Sequence, residues 1–317
     1  MWYRILIMSL SIVVPILNEA ENIEIFLEKT IPVIEKITNQ YEIIFVLDPC
    51  TDRSEEIIID KIDKNNNLKL IKFSRRFGQP AAILAGIKNS TLDNIVLIDV
   101  DLQDPPELIE KMYNLRQQGY DTVLAKRKSK KGENPIRELI SNIGYHLISK
   151  FSETNIPKNV GEFRLISKRI RDQIKELEEK DFFLRGINSF IGYKYTIIEF
   201  DREKRHKGTT KYNKYTGSLK IGLNGIFSFS TKPLHYITVC SAFSFIISFL
   251  IFIIYIILTF LKIFVFKYQF FIITLILLVS SLIFFSQGII AEYLARIIPD
   301  IKKRPSYIID KKYNFKD

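Results

Sequence analysis

Asn94-Ile95-Val96-Leu97-Ile98, followed directly by Asp99-Val100-Asp101-Leu102-Gln103-Asp104-Pro105-Pro106, decides how this chain is read. The apolar run has the length and pattern of a short buried strand. Acidic groups and an amide therefore gather where a strand ends, and that end is where open α/β sheets bind ligands. On an extended backbone Asp99 and Asp101 can reach around one hard cation, with Gln103 adding a neutral oxygen. Mg²⁺ or Mn²⁺ takes such oxygen ligands and commonly arrives with phosphates. The same residues could form an ordinary solvated turn. Asp104, just before two prolines, reads as a helix N-cap rather than a ligand.

Outward from this point, strand and helix signals alternate. Ser9–Leu17, Glu42–Leu47, Asn67–Phe73, Asn94–Ile98 and Asp121–Ala125 read as strands. Ala20–Ile37, Thr51–Lys64, Gln79–Asn89 and Pro106–Gln118 read as helices, with Thr51 or Asp52 capping the second. Such alternation predicts an α/β fold with a mainly parallel sheet and helices on both faces. Beyond Lys126 the pattern becomes more helical: Arg137–Phe151, Lys168–Leu177 and Phe182–Ile191 read as helices, and Phe163–Ser167 and Lys194–Phe200 as strands.

The last third is different. Leu234–Leu261 and Phe270–Ala291 contain no Asp, Glu, Lys or Arg, and about 20 apolar residues suffice to cross a bilayer as a helix. Lys262–Gln269 between them is short, so the two runs predict a transmembrane hairpin with its outer ends on one side. Basic residues crowd those ends (Lys211, Lys214, Lys220 and Lys232 before, Arg296, Lys302, Lys303 and Arg304 after), which places the N-terminal domain and both termini in the cytoplasm. Tyr215–Ser230 reads as an amphipathic segment on the membrane surface. The expected organisation is a catalytic domain over 1–212, a surface segment over 213–232, two spans within 233–291 and a basic tail over 292–317. The net charge of +11 suits anionic lipid better than nucleic acid, because no zinc-finger spacing or paired aromatic RNA-binding signature is present. The apolar N-terminus lacks a signal-cleavage site and continues into the first strand. Cys50 and Cys240 form no disulfide framework.

Several stretches together carry a resemblance: Val13-Val14-Pro15 with Asn18-Glu19, Asp99 to Glu107, Gly161-Glu162-Phe163-Arg164-Leu165, Phe183-Leu184-Arg185-Gly186, Arg205-His206-Lys207-Gly208-Thr209-Thr210-Lys211, Phe227 to Pro233, Gly288 to Tyr293 and Lys303-Arg304-Pro305. Their order and spacing resemble the inverting GT-A (Rossmann-like) glycosyltransferases of family 2. Within that family they are most similar to the polyprenyl-phosphate enzymes, the group of dolichyl-phosphate mannose synthases and bacterial undecaprenyl-phosphate glucosyltransferases. The resemblance implies transfer of one sugar, with inversion, from a nucleotide-sugar to polyprenyl phosphate at the cytoplasmic membrane face. UDP-glucose is the favoured donor and GDP-mannose the next, with Mg²⁺ or Mn²⁺ as cofactor and a homo-oligomer, a tetramer, as the assembly.

The resemblance also assigns roles. Asp99, Asp101 and Gln103 take the metal and diphosphate. Pro15, Glu19, Asp48 and Asp99 line the donor pocket. Glu162 lies near the acceptor and, with Asp101, Arg205 and Lys211, makes up the catalytic group. Bringing two clusters of negative charge together calls for cations, and Arg127, Arg137, Arg164, Arg205 and Lys211 are the candidates. A salt bridge to Arg164 is the competing reading for Glu162. The chain departs from the family at Leu47-Asp48-Pro49-Cys50-Thr51-Asp52, where Asp-Asp-Gly-Ser-x-Asp is usual. A processive polysaccharide synthase is excluded, because its Gln-x-x-Arg-Trp motif needs a Trp and Trp2 is the only one. A non-catalytic membrane adaptor with a degenerate nucleotide-sugar fold is the alternative, supported by the altered Leu47–Cys50 turn.

Overall fold

The computed structural model describes residues 9–128, 160–177, 184–201, 268–302 and 304–315, with isolated positions between 243 and 261. Its centre is β1 (Ser9–Ile16), flanked by β2 (Gln40–Leu47) and β4 (Asn94–Leu97), both parallel to it. These strands are nearly continuous apolar runs because helices cover both faces. β3 (Leu68–Phe73) extends the sheet beyond β2. On one face lie α1 (Ala20–Ile37), α2 (Ser54–Ile62) and α4 (Leu108–Gln117), which bury Ile23, Phe26, Ile58, Ile109 and Met112 against the sheet. On the other lie α3 (Gln79–Asn89), α5 (Lys168–Glu176) and α6 (Leu184–Ile191), which contribute Ala82, Ala85, Ile170, Ile174 and Ile187.

α3 approaches β1 unusually closely at Gly86. A Cβ there would collide with the side chain of Val13. The small-residue face of α3 is thus what lets the helix sit against the central strand.

At the opposite end of the sheet from the Asp99 turn, buried Glu42 ties three elements together. Ser11 Oγ (2.6 Å), Thr91 N (2.7 Å) and Thr91 Oγ1 (3.0 Å) donate to Oε1, and Lys69 Nζ donates to Oε2 at 2.6 Å. Burial works to raise the pKa of this carboxyl, but the bonds from Lys69, Ser11 and Thr91 outweigh it and leave the pKa lowered.

The sheet has eight strands in the order β7-β5-β6-β4-β1-β2-β3-β8 and is mixed. β6 (Val160–Ser167) inserts antiparallel between β4 and β5 (Thr122–Arg127), and β7 (Tyr195–Phe200) joins β5 in parallel. The expectation of a mainly parallel sheet holds for the run β3-β2-β1-β4 and gives way at both edges. The tail supplies the other edge: β8 (Ile309–Tyr313) pairs antiparallel with β3, from Phe73↔Ile309 to Leu70↔Tyr313. Residues read from the sequence as a basic tail are thus part of the catalytic domain's sheet.

α7 (Tyr268–Ile301) contains the second apolar run and continues well past it. Counting only the described residues, no helix is long and apolar enough to cross a membrane. The two-helix hairpin is therefore not seen. Its first arm, Leu234–Leu261, lies almost wholly outside the described residues, as do the helices expected over Arg137–Phe151 and Tyr215–Ser230.

Candidate active site

The carboxyl ends of β1, β2, β3 and β4 form one rim. β4 delivers the turn Asp99–Asp104. In it the Gln103 N–H donates to Asp101 Oδ1 at 3.1 Å, and Leu102 adopts a left-handed conformation with φ of 57°. A branched residue rarely takes that conformation without compensation, and strain of this kind collects at functional sites. Asn18, at the end of β1 on the same rim, is also left-handed, with φ of 50°.

Asp104 belongs to the cluster and is not the N-cap expected from the sequence. α4 begins only at Leu108, and its N-cap position is Glu107. Pro106 disfavours a helical conformation at Pro105, so a turn precedes the helix, with Leu108 N bonded to Pro105 O and Ile109 N to Pro106 O. Asp104 is left 2% exposed, with Oδ1 3.6 Å from Arg127 Nη2. Asp99 shows the electrostatic consequence. Its pKa is raised to about 7, first by burial and then by the charges of Asp104, Asp101 and Glu162, against the opposing pull of Arg127. Burial and neighbouring negative charge together make this a place where a cation would relieve Asp99.

The donor set is all oxygen, which fits Mg²⁺ or Mn²⁺. Among the described residues no three acidic, His or Cys side chains form a closed metal cluster. Asp99, Asp101 and Gln103 follow β4 on one turn.

β6 brings in the Gly161–Leu165 stretch, and each residue in it has a distinct task. A side chain at Gly161 would press on the Arg127 guanidinium, with its Cβ 3.1 Å from Nη2. Gly161 therefore makes room for Arg127. The buried Nε of Arg127 has no hydrogen-bond partner, a donor that an anionic ligand could take up. Arg164 is fully buried: Nη2 donates to Gly161 O at 2.7 Å, Nε to Glu162 O at 3.2 Å and Nη1 to Leu184 O at 3.4 Å. Expected as a phosphate ligand, it instead pins the backbone that carries Glu162, whose Oε2 lies 3.5 Å from Nη2. Of the two sequence readings of Glu162, the geometry shows the pairing with Arg164; its charge also bears on Asp99.

On the other side of the rim, Asp48 is almost completely buried. Its two oxygens accept the N–H groups of Phe77 (2.9 Å) and Gly78 (3.0 Å), clamping the β3–α3 loop. Asp52 caps two helices at once, accepting from Ala20 N at 3.1 Å and Ser54 N at 3.0 Å. Asn18 N donates to Cys50 Sγ at 3.1 Å. Glu19 accepts Asn22 Nδ2 at 2.6 Å. The departure at Leu47–Asp52 thus leaves a tightly bonded pair of loops, and the acids it retains hold backbone. Pro15 sits in β1 opposite Val46. Sequence reasoning missed Gln79, whose Nε2 donates to Asp99 Oδ1 at 2.9 Å. Its one signal was a polar residue following Gly78 at the first position of α3. Arg137, Arg205 and Lys211 lie outside the described residues.

The raised pKa of Asp99 yields a pH-dependent expectation. Without metal, the folded state holds a proton here that the unfolded chain releases near pH 4, so stability falls as pH rises from about 4 to about 7. A bound cation removes that penalty. Mn²⁺ should therefore raise the melting temperature more at pH 8 than at pH 5.5. Equal shifts at both pH values would mean that Asp99 does not meet the ion.

Residues 11–175 match the family described as Glycosyl transferase family 2. An uncharacterised glycosyltransferase from Synechocystis sp. is 36% identical over 303 residues, covering 95% of this chain and 94% of that protein. A protein of Shigella flexneri named SfII prophage-derived bactoprenol glucosyl transferase is 34% identical, covering 96% and 99%. An Escherichia coli protein named prophage bactoprenol glucosyl transferase homolog is 35% identical, covering 96% and 99%. Among solved structures, glucosyl-3-phosphoglycerate synthase from Mycobacterium tuberculosis aligns with a TM-score of 0.48 at 15% identity, covering 69% of this chain and 79% of that one, too distant to carry an argument.

Proposed function

Because this chain belongs to glycosyl transferase family 2 and is a glycosyltransferase, we propose that it moves a single sugar from a nucleotide-sugar to a polyprenyl phosphate of the bactoprenol type, with inversion. UDP-glucose is the first donor and GDP-mannose the second. Relatives named for bactoprenol glucosyl transfer, matched along nearly the whole chain, support this acceptor and sugar. The observation that carries the reading is the Asp99–Asp104 turn at the strand ends, where burial first and the neighbouring acids next raise Asp99 to about 7, with Arg127 facing it. The family match and the relatives named as glycosyl transferases speak against the adaptor alternative.

The acceptor phosphate brings its own nucleophile, since a monoester with a second pKa near ~6 is largely dianionic at neutral pH. Its oxygen attacks the anomeric carbon from the face opposite the leaving diphosphate. Asp99, Asp101 and Gln103 hold Mg²⁺ or Mn²⁺, which, when bound, supplies charge neutralisation for the departing diphosphate. The free Nε–H of Arg127 takes a phosphate oxygen. Glu162, fixed by Arg164, orients the acceptor side of the pocket. Arg137, Arg205 and Lys211 complete the positive charge around the lipid phosphate.

The enzyme is placed in the membrane by Leu234–Leu261 and Phe270–Ala291 as a hairpin, with the catalytic domain and both ends cytoplasmic and with four copies assembling. The reading rests on the absence of Asp, Glu, Lys and Arg from both runs, and α7 carries the second of them. That helix leaves Ile276, Ile283, Phe285 and Leu294 largely exposed, which suits lipid contact.

The test is transfer of label from UDP-[¹⁴C]glucose into an organic-extractable product by the full chain in lipid, with undecaprenyl phosphate and Mn²⁺. Label in lipid, abolished by EDTA, is expected. Label from GDP-mannose alone would change the sugar. No label from either donor, with UDP still bound, would overturn the proposed donor and acceptor pairing.

A further inference from the structure

β8 returns the chain from α7 to the rim of the site. The segment before it lies against the loop that carries Gln79. Ser74 N donates to Ile308 O at 3.1 Å, extending the β3–β8 pairing into the β3–α3 loop. Tyr307 stacks on Phe73 with ring centroids 5.3 Å apart and planes 21° apart. Phe73 in turn meets Phe77 edge-on at 5.5 Å. The outer face of Phe77 is covered by the Arg75 guanidinium, 3.9 Å from the ring centroid. Phe77 and Gly78 are the two residues whose N–H groups Asp48 clamps, and the next residue, Gln79, donates to Asp99. A continuous series of contacts therefore runs from Tyr307 to a carboxylate of the metal turn.

Two features make this series more than ordinary packing. Gly78 has φ of 91°; glycine enters and leaves this conformation without strain, so the contacts around it are what hold the loop's shape. The β3–β8 register also shifts between Lys72 and Phe73, so regular pairing breaks where the aromatic rings begin. From there to Gly78 the loop is held by the rings, the Ser74 bond and the Asp48 clamp.

We propose that Tyr307 is a positioning residue for the donor site: by stacking on Phe73 it holds the Phe77–Gly78–Gln79 turn in the conformation that orients Asp99. The inference rests on the assignment of Asp99 and Asp101 to the metal and diphosphate. Tyr307 touches neither substrate nor ion. Its ring, rather than its hydroxyl, does the work, so phenylalanine should substitute and alanine should not.

The experiment uses the full chain in detergent or lipid, below the melting temperature of each variant. Mn²⁺ binding in the presence of UDP is followed by electron paramagnetic resonance, alongside hydrogen exchange of the Phe77 and Gly78 amides. Tyr307→Ala should weaken Mn²⁺–UDP binding about tenfold and speed exchange at those two amides, whereas Tyr307→Phe should behave as the parent protein. Unchanged Mn²⁺–UDP affinity and protection in Tyr307→Ala would overturn the proposal, even if the protein melted earlier, because a purely structural role predicts that combination. Loss in the Phe variant equal to that in the Ala variant would overturn the assignment to the ring. Asp101→Asn serves as the separate control: if it binds Mn²⁺–UDP normally, the reading of the site fails, whatever Tyr307 does.

Discussion

Asp101→Asn should slow sugar transfer by about 10²–10³-fold, the range seen when one preorganised electrostatic group is removed from a reaction centre, and should leave the fold intact. The choice of asparagine separates charge from architecture. Asp101 Oδ1 accepts the Gln103 N–H at 3.1 Å, and that bond supports the left-handed Leu102. The asparagine side-chain oxygen can keep it. What disappears is the negative charge on a residue 7% exposed, at the point proposed to hold the cation. Mn²⁺ affinity should fall with the rate, and the melting temperature of the metal-free protein should hold or rise because repulsion with Asp99 is relieved. Transfer reduced by less than about threefold would remove Asp101 from the metal site.

Glu42→Ala should cost about 3–5 kcal/mol of stability, the scale for breaking a buried ion pair from one side, without a specific effect on donor affinity. The substitution strands Lys69 Nζ, Ser11 Oγ and the Thr91 N–H, all of which the carboxylate accepts. It does so between β1, β2 and β3, on which the rim of the site depends. The pH dependence has a definite direction. Despite burial, the bonds from Lys69, Ser11 and Thr91 lower the pKa of Glu42 below its ordinary value. Its contribution is therefore fully present above the unfolded pKa and is lost as pH falls through the lower folded pKa. Denaturant unfolding should show the parent losing stability on acidification more steeply than Glu42→Ala. A loss below about 1 kcal/mol at neutral pH would mean that Lys69, Ser11 and Thr91 find other partners.

The parts of this molecule that were legible in the sequence are those set by local periodicity. Apolar runs at Ser9–Ile16, Gln40–Leu47 and Asn94–Leu97, separated by amphipathic helices, specify parallel neighbours because short crossovers leave few alternatives. The Asp99–Gln103 turn was legible because it follows such a run. Strand order at the edges was not, since β6 between β4 and β5 joins residues distant in sequence and no local pattern records a partner. β8 was hidden for a different reason: Ile309-Asp310-Lys311-Lys312-Tyr313 is short, charged and downstream of a long apolar helix, so it reads as tail. An edge strand needs few apolar residues, and lysine there discourages pairing with other chains. Asp104 was misread because a proline pair suggested an immediate helix start, whereas the second proline delays it. Charge alone makes Arg164 a ligand candidate, and no local pattern signals its burial against three carbonyls.

The direction of β8 fixes where the chain rejoins the sheet after α7. The chain leaving α7 at Ile301 enters the sheet at Ile309, opposite Phe73, and Phe73 is at the carboxyl end of β3. A segment of that length reaches no farther than about 30 Å even when fully stretched. The chain therefore enters β8 at the rim bearing Asp99, Asp101 and Gln79 and not at the Glu42 end. Under the proposed membrane placement, that entry point would act as a short anchor line. It would then hold the rim of the site near the depth of the proposed lipid phosphate.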